Sequence, residues 1–219
     1  MTYYLGIDLT SSERRPSAWA SLDEAAHILD LGQVTGDDAI MALVERLQPA
    51  STAIDAPLYL PRGLASLDDD KAAQGLPTGR ACERQLKALG IGCFYTTPSS
   101  IIKPMVYRAI ALRRRLEARG HLVLEVFPYA SKVRLLGMRH LPKKTCINGR
   151  LWLQSALVTF IPDLSASPPL SHDALDALIA AYTGLLHANG LAVGLGEPDE
   201  GILWIPEAHT IDTPRTRLL

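Results

Sequence analysis

The first quarter of the chain alternates short apolar runs with polar breaks, and this pattern predicts three strands, a helix and a fourth strand. Strand-forming apolar residues fill 2–9, 16–21 and 26–33, with polar turns between them. Apolar positions then recur at helical spacing over about 38–48. The run at 51–55 predicts the fourth strand. This order favours an antiparallel meander followed by a helical crossover to a parallel strand.

The pattern changes after the fourth strand. Residues 58–120 contain several prolines and a predicted helix, and we interpret them as a helical insertion between the fourth and fifth strands. The apolar run at 121–127 predicts that fifth strand, and 171–188 predicts the last long helix. Residues 190–219 are expected to form a C-terminal extension, with a short strand candidate at 201–206. We therefore expect one α/β domain over 1–219, with a five-stranded mixed sheet flanked by helices.

Composition fits a folded chain and excludes several protein classes. Hydrophobic residues make up 47% and charged residues 21% of 219 residues, which argues against intrinsic disorder. The three cysteines are scattered without CxxC spacing, which argues against a disulfide framework and against a zinc site. No apolar stretch reaches the 18 or so residues of a membrane span, and no signal peptide is evident. We expect a soluble, cytoplasmic protein without membrane partners.

Five acidic residues lie in or beside apolar segments. Asp8 ends the first strand, Asp55 ends the fourth, and Glu125 lies within the fifth. Asp173 and Asp176 are one turn apart on the last helix and share a face. Buried carboxylates are costly unless they are paired or bind a cation, and Mg²⁺ prefers oxygen ligands. If these acids converge, the pattern indicates a divalent metal site, and two ions about 3.5–4 Å apart can promote phosphoryl transfer.

Each acid also has a structural interpretation. Asp8 could cap the polar turn that follows it, and Asp55 could form an Asx turn before Pro57. Asp173 lies in a first helical turn, where any acid is favoured by the helix dipole. Glu125 could face solvent on an edge strand. Convergence of the set, not any single acid, favours the metal site.

The same segments carry a resemblance to a known family. They are Gly6-Ile7-Asp8-Leu9, Ala53-Ile54-Asp55-Ala56-Pro57, Arg80 with Glu83, Glu125-Val126-Phe127-Pro128, Asp173-Ala174-Leu175-Asp176-Ala177 and Gly201…Ile205-Pro206. In this order they resemble the domain-of-unknown-function family numbered 429, regarded as predicted nucleases with an RNase H-like fold. RuvC-like resolvases are similar in placing acids on the first strand, the fourth strand and the last helix.

The resemblance implies an RNase H-like fold and metal-dependent hydrolysis of phosphodiester bonds in DNA or RNA. Asp8, Asp55, Asp173 and Asp176 would be catalytic ligands of two Mg²⁺ or Mn²⁺ ions, with Asp8 bridging both. Glu125 matches the family's Glu-Val-Tyr-Pro-type motif, with Phe127 in place of the tyrosine, and would be a further catalytic residue.

A basic segment offers a surface for nucleic acid. Residues 103–150 contain twelve basic and two acidic residues, a local charge of +10 that leaves −11 for the rest of a chain whose net charge is −1. Such clusters suit a phosphate backbone, although a solvated helix face is the alternative. The candidate substrate-binding residues are Lys103, Lys143 and Lys144 of this segment, together with Arg80 earlier in the chain.

Two residues of this site have open roles. Arg80 could bind a phosphate bidentately, or it could form an ordinary surface ion pair with Glu83 three residues later. His172 adjoins Asp173 and could protonate a leaving group, or it could belong to a helix-capping turn.

Two other functions stay open. The chain could be a non-catalytic module that keeps this fold and binds nucleic acid or a protein. It could also be a nucleotide-binding protein of the actin or sugar-kinase type, because Gly6-Ile7-Asp8 also begins those folds. Neither the choice between DNA and RNA nor the oligomeric state, for which a dimer is conceivable, follows from the sequence.

Overall fold

A single mixed sheet organises the computed structural model, which describes residues 2–69, 74–138, 140–143 and 145–208. Its strands are β1 (Tyr4–Asp8), β2 (Ser17–Leu22), β3 (Ile28–Val34), β4 (Ser51–Asp55), β5 (Val123–Val126), β6 (Ala192–Glu197) and β7 (Gly201–Pro206). The helices are α1 (Asp37–Leu47), α2 (Ala81–Ala88), α3 (Lys103–Glu117), α4 (Pro128–Leu136), α5 (Ile147–Leu157) and α6 (His172–Ala188), with short 3₁₀ turns at Pro162–Ser165 and Pro198–Glu200. Within these ranges the strand order is β3-β2-β1-β4-β5-β7-β6.

The first half of the sheet has the predicted connections. β1, β2 and β3 form an antiparallel meander, and α1 carries the chain to β4, which pairs with β1 in parallel. β5 then adds to β4 in parallel, after α2 and α3. The predicted α/β class, the meander and the crossover are confirmed.

The predicted number of strands was wrong, because the sheet has seven strands and not five. β7 pairs with β5 in parallel, and β6 returns along β7 as an antiparallel edge. β7 coincides with the strand candidate at 201–206, but β6 was missed. Its sequence, AVGLGE, contains Gly194 and Gly196, which lower strand propensity and weaken the alternating pattern. The C-terminal extension therefore completes the sheet.

The insertion and the C-terminal hairpin bury apolar surface together. Cys82 and Leu86 of α2 lie in one apolar cluster with Leu203 and Ile205 of β7. The Gly196 amide of β6 also donates to Gln85 Oε1 at 2.8 Å. Since α2 covers the hairpin, these strands have a packing partner that local sequence patterns do not reveal.

Helices cover the two faces of the sheet. Leu5 and Ile7 of β1 point into a cluster with apolar residues of α1 and α3. On the opposite face α6 forms the core with residues such as Leu175 and Leu178, which are fully buried. Each such side chain contributes about 1.5–3 kcal/mol of burial free energy. Across the part of the chain that the structure describes, no helix is long and apolar enough to span a membrane.

Candidate carboxylate site

Two parallel strands place Asp8 and Asp55 side by side. β1 and β4 are paired in register from Tyr4 with Ser51 to Asp8 with Asp55. Partners in a parallel ladder point to the same face of the sheet, so the two carboxylates project together from the carboxyl ends of their strands. This edge is where open α/β sheets usually bind ligands.

α6 brings the other two aspartates to this point. Its first turn begins after Ser171, whose hydroxyl accepts a hydrogen bond from the Ala174 amide at 3.1 Å. Asp173 and Asp176 follow on one face of the helix. Asp173 is hydrogen bonded to Asp8, and both helical aspartates act electrostatically on Asp8. The four predicted metal ligands therefore share one site.

Gly6 sets the distance between α6 and the sheet. A Cβ atom at Gly6 would overlap the backbone of Ala177 and Ala181. Side chains alternate along a strand, so Asp8 points to the same face as Gly6 and meets the helix one turn closer to its N-terminus. The glycine in Gly6-Ile7-Asp8 thus allows the close approach that unites the four aspartates.

The clustered charge perturbs Asp8 strongly. Burial, followed by the neighbouring carboxylates of Asp55, Asp176 and Asp173, raises the pKa of Asp8 to about 9. With these neighbours alone, Asp8 is protonated at neutral pH and can donate to Asp173. A cation at this point would favour the charged form instead.

Lys132 supplies a counter-charge that sequence analysis did not identify. Its ammonium lies 2.6 Å from Asp176 Oδ1, and both side chains are almost completely buried. A 3.0 Å hydrogen bond between the buried hydroxyls of Ser131 and Thr183 ties α4 to α6 beside this pair. The local signal for this role is a lysine inside a short helix with several apolar residues, and its basic character alone does not distinguish it from the other cations of 103–150.

The carboxylate oxygens of the four aspartates are suitable ligands for a hard cation, although they are not already arranged around one metal position. Among the described ranges, no three His, Cys, Asp or Glu side chains are already arranged to hold one metal ion. The donors are nevertheless carboxylates from three separate elements, and Asp8 is desolvated among like charges. This is the chemistry that Mg²⁺ and Mn²⁺ favour, so the residues fit such an ion.

Glu125 belongs to a second, neighbouring cluster. Its carboxylate accepts hydrogen bonds from both terminal nitrogens of Arg80, at 2.8 and 2.5 Å, and from the Leu58 amide at 2.7 Å. Arg80 also donates from Nε to Glu83 at 3.0 Å. The sequence allowed Arg80 and Glu83 to form a surface ion pair, but in the structure this pair is buried. The side chains of Arg80, Glu83 and Glu125 are each at most 4% exposed.

Hydrogen bonds within this second cluster engage the charged groups of all three residues. Glu83 further accepts from the amide and the hydroxyl of Thr96, at 2.9 and 2.5 Å. Burial alone would lower the pKa of Arg80, but the Glu125 carboxylate raises it above its ordinary value, so the guanidinium stays charged. Asp55, Arg80 and Glu125 line the same small cleft of about 90 Å³. Arg80 thus forms part of the cleft wall, and its guanidinium donates hydrogen bonds to Glu125 and Glu83.

Comparison with known proteins places the chain in a family. A family model described as "Protein of unknown function (DUF429)" matches residues 6–200. The chain belongs to DUF429. The match covers all four aspartates and the Arg80 cluster, and it confirms the family resemblance of the sequence segments. No curated protein matches the chain significantly.

In this DUF429 protein, the other candidate residues lie in different surroundings. Lys103 pairs with Asp68 at 3.0 Å on the insertion. Lys143 lines a surface cavity next to Lys132. Lys144 lies outside the described residues. His172 Nδ1 is 2.6 Å from Asp173 Oδ1 without hydrogen-bond geometry, so the two side chains adjoin at the mouth of the site.

Much of the basic segment neutralises the protein's own acids. Buried Arg108 binds Asp37 at 2.8 Å and the Thr10 carbonyl at 2.7 Å. Further pairs join cations of the segment to carboxylates: Arg113 with Glu117, Arg115 with Asp38, Arg119 with Glu45, and Lys132 with Asp176. The local charge of +10 is therefore not a continuous free surface, and α3 contributes less to a nucleic-acid interface than its composition indicates.

Proposed function

We propose that this protein is a metal-dependent nuclease with an RNase H-like fold. Support for the fold comes from the strand order β3-β2-β1-β4-β5, with an antiparallel meander, a helical crossover and a parallel continuation. β7 and β6 extend this core at the β5 edge. The positions of the acids on the first strand, the fourth strand and the last long helix agree with the pattern of RuvC-like resolvases.

One observation carries the function most directly. Asp8 and Asp55 are register partners at the ends of parallel strands, and α6 adds Asp173 and Asp176 to the same point. Structural stability does not require four acids there, because clustered carboxylates repel one another and desolvation disfavours their charge. A cluster of carboxylates that lowers the stability of the fold is characteristic of a site for cation-dependent chemistry.

The residues that would hold Mg²⁺ or Mn²⁺ are Asp8, Asp55 and Asp173, with Asp176 alongside. When bound, the ion would polarise a phosphodiester and lower the pKa of a water molecule. Asp176 is already compensated by Lys132, so this pair orients α6 and limits the charge left for metal to neutralise. His172 is partly exposed beside Asp173, where its ring could donate a proton to the departing oxygen.

A cleavage assay tests this proposal. Single- and double-stranded DNA and RNA are incubated with the protein in Mg²⁺, Mn²⁺ or EDTA, and Asp8→Asn is compared with the wild type. Asp30→Asn is a matched control, because Asp30 is an exposed aspartate on β3 and lies outside the carboxylate cluster. We expect metal-dependent cleavage by the wild type and by Asp30→Asn, and its loss in Asp8→Asn.

Two results would contradict the nuclease proposal. Equal cleavage by Asp8→Asn and wild type would place the activity elsewhere or in a contaminant. Salt-sensitive binding of nucleic acid with no metal-dependent cleavage of any substrate would favour the non-catalytic binding module.

A further inference from the structure

A cavity of about 240 Å³ opens beside the carboxylate site, between α4, α5 and the segment 141–143. It is separate from the cleft at Arg80. Its walls are formed by Tyr129, Lys132, Leu141, Pro142, Lys143, Trp152 and Leu153. The volume is below the roughly 300–1,000 Å³ of pockets for drug-sized ligands, and it suits a planar group the size of one nucleobase.

Two aromatic rings give this cavity its character. Tyr129 lies in the first turn of α4 and Trp152 lies on α5, and they remain 36% and 37% exposed. The Tyr129 ring packs against the ring of Phe127 at 5.9 Å between centroids, yet both Tyr129 and Trp152 keep about a third of their surface open to solvent, although burying an aromatic side chain would be favourable. Aromatic side chains in a surface cleft are the usual platforms for stacking unpaired bases, each worth about 1–3 kcal/mol.

The charge around the cavity favours an anionic ligand. Two of the wall residues are lysines, Lys132 and Lys143, and none of the wall residues is acidic. Lys143 forms part of the wall, and no carboxylate of the described residues forms an ion pair with it. This differs from the cations of α3, which are mostly paired. A phosphate group beside the rings would therefore find an available ammonium.

The lysine-bearing wall is held in place by α5. A Cβ atom at Gly149 would overlap the Lys143 carbonyl, so this segment packs directly on the helix. The same carbonyl accepts a hydrogen bond from the Cys146 amide at 3.2 Å. The backbone of Lys143 is thus fixed relative to Trp152.

The cavity also reaches the carboxylate site. Lys132 lines it, and the ammonium of Lys132 contacts Asp176 at 2.6 Å. We propose that the cavity binds one unpaired base of a single-stranded nucleic acid, with Lys143 on an adjacent phosphate, next to the strand's position at the carboxylates. This inference rests on the proposed function, because it names the substrate class of that same site.

Binding of labelled oligonucleotides, followed by fluorescence anisotropy in EDTA, tests the inference without requiring cleavage. The probes are a single-stranded hexamer with bases, the same hexamer made abasic, and a duplex. We expect the wild type to bind the hexamer with bases at least about five-fold more tightly than the abasic one, and more tightly than the duplex. Trp152→Ala should lose this preference but keep its affinity for the abasic strand.

Leu151→Ala is the matched control, because Leu151 is an exposed apolar residue of the same helix outside the cavity. It should behave like the wild type. Equal affinity of the wild type for abasic and normal strands, or an unchanged preference in Trp152→Ala, would overturn the inference. Base preference that depends on Trp152 without any cleavage would contradict the nuclease proposal alone, whereas cleavage without base preference would contradict this inference alone.

Discussion

Replacing Asp8 by a side chain that cannot ionise should stabilise the protein when no divalent metal is present. The pKa of Asp8 rises from 3.8 to about 9 on folding, so the folded state retains a proton that the unfolded state releases above pH 4. Stability attributable to this group is therefore lost as pH rises from about 4 to about 9. Each pH unit in this range lowers the free energy of unfolding by about 1.4 kcal/mol at most. The loss caused by Asp8 at pH 7 therefore has an upper limit of about 4 kcal/mol.

Asp8→Asn escapes this penalty, because asparagine stays neutral and its amide can still donate to Asp173. We expect the variant to exceed the wild type by about 1–4 kcal/mol in free energy of unfolding at pH 7, and to match it near pH 4. Urea denaturation in EDTA at several pH values measures the difference. Mg²⁺ should then stabilise the wild type and not the variant.

The control for this experiment is Asp30→Asn, which should follow the wild type at every pH. A variant Asp8→Asn that is less stable than the wild type at pH 7 would refute the reasoning. So would a difference that does not change with pH, because it would show that burial and the neighbouring acids do not oppose the charge on Asp8.

Three further substitutions probe the framework of the site by urea denaturation. Gly6→Ala should destabilise the protein by at least about 1–3 kcal/mol, because the new methyl group overlaps the backbone of α6. Arg80→Met should cost about 3–5 kcal/mol, because it leaves buried carboxylates unpaired, and adding Glu125→Gln should recover part of this loss. Lys132→Met should cost a similar amount by leaving Asp176 uncompensated.

Each of these substitutions has a matched control at an open position. Gly92→Ala meets no atom within 4 Å, and both Arg46→Met and Lys87→Met alter exposed helical residues. These controls should change stability by no more than about 0.5 kcal/mol. If one of these substitutions changes the free energy of unfolding no more than its control does, the contact assigned to that residue does not contribute to stability as we infer. This applies to Gly6→Ala, Arg80→Met and Lys132→Met.

Sequence patterns located the four aspartates because each lies at a predictable point of a local element. Asp8 and Asp55 end strands whose apolar runs are plain in the sequence, and helical spacing alone puts Asp173 and Asp176 on one face. The expected strand order was compatible with their convergence but did not establish it.

Contacts between residues far apart in the sequence could not be predicted from local sequence patterns. Glu125 pairs with Arg80, forty-five residues away, and Lys132 pairs with Asp176, forty-four residues away. By residue type and position in the sequence both cations are potential phosphate ligands, but in the fold Arg80 binds two carboxylates and Lys132 binds one. β6 was missed for a related reason, because its glycines weaken the local signal and its position depends on packing against α2.

The central claim, that the aspartate cluster binds a divalent metal ion, is tested most directly by anomalous scattering from a crystal soaked in Mn²⁺. We predict at least one anomalous peak among Asp8, Asp55 and Asp173, with Lys132 still on Asp176. A fully soaked crystal with this site open to solvent and no anomalous peak among these carboxylates would contradict the claim.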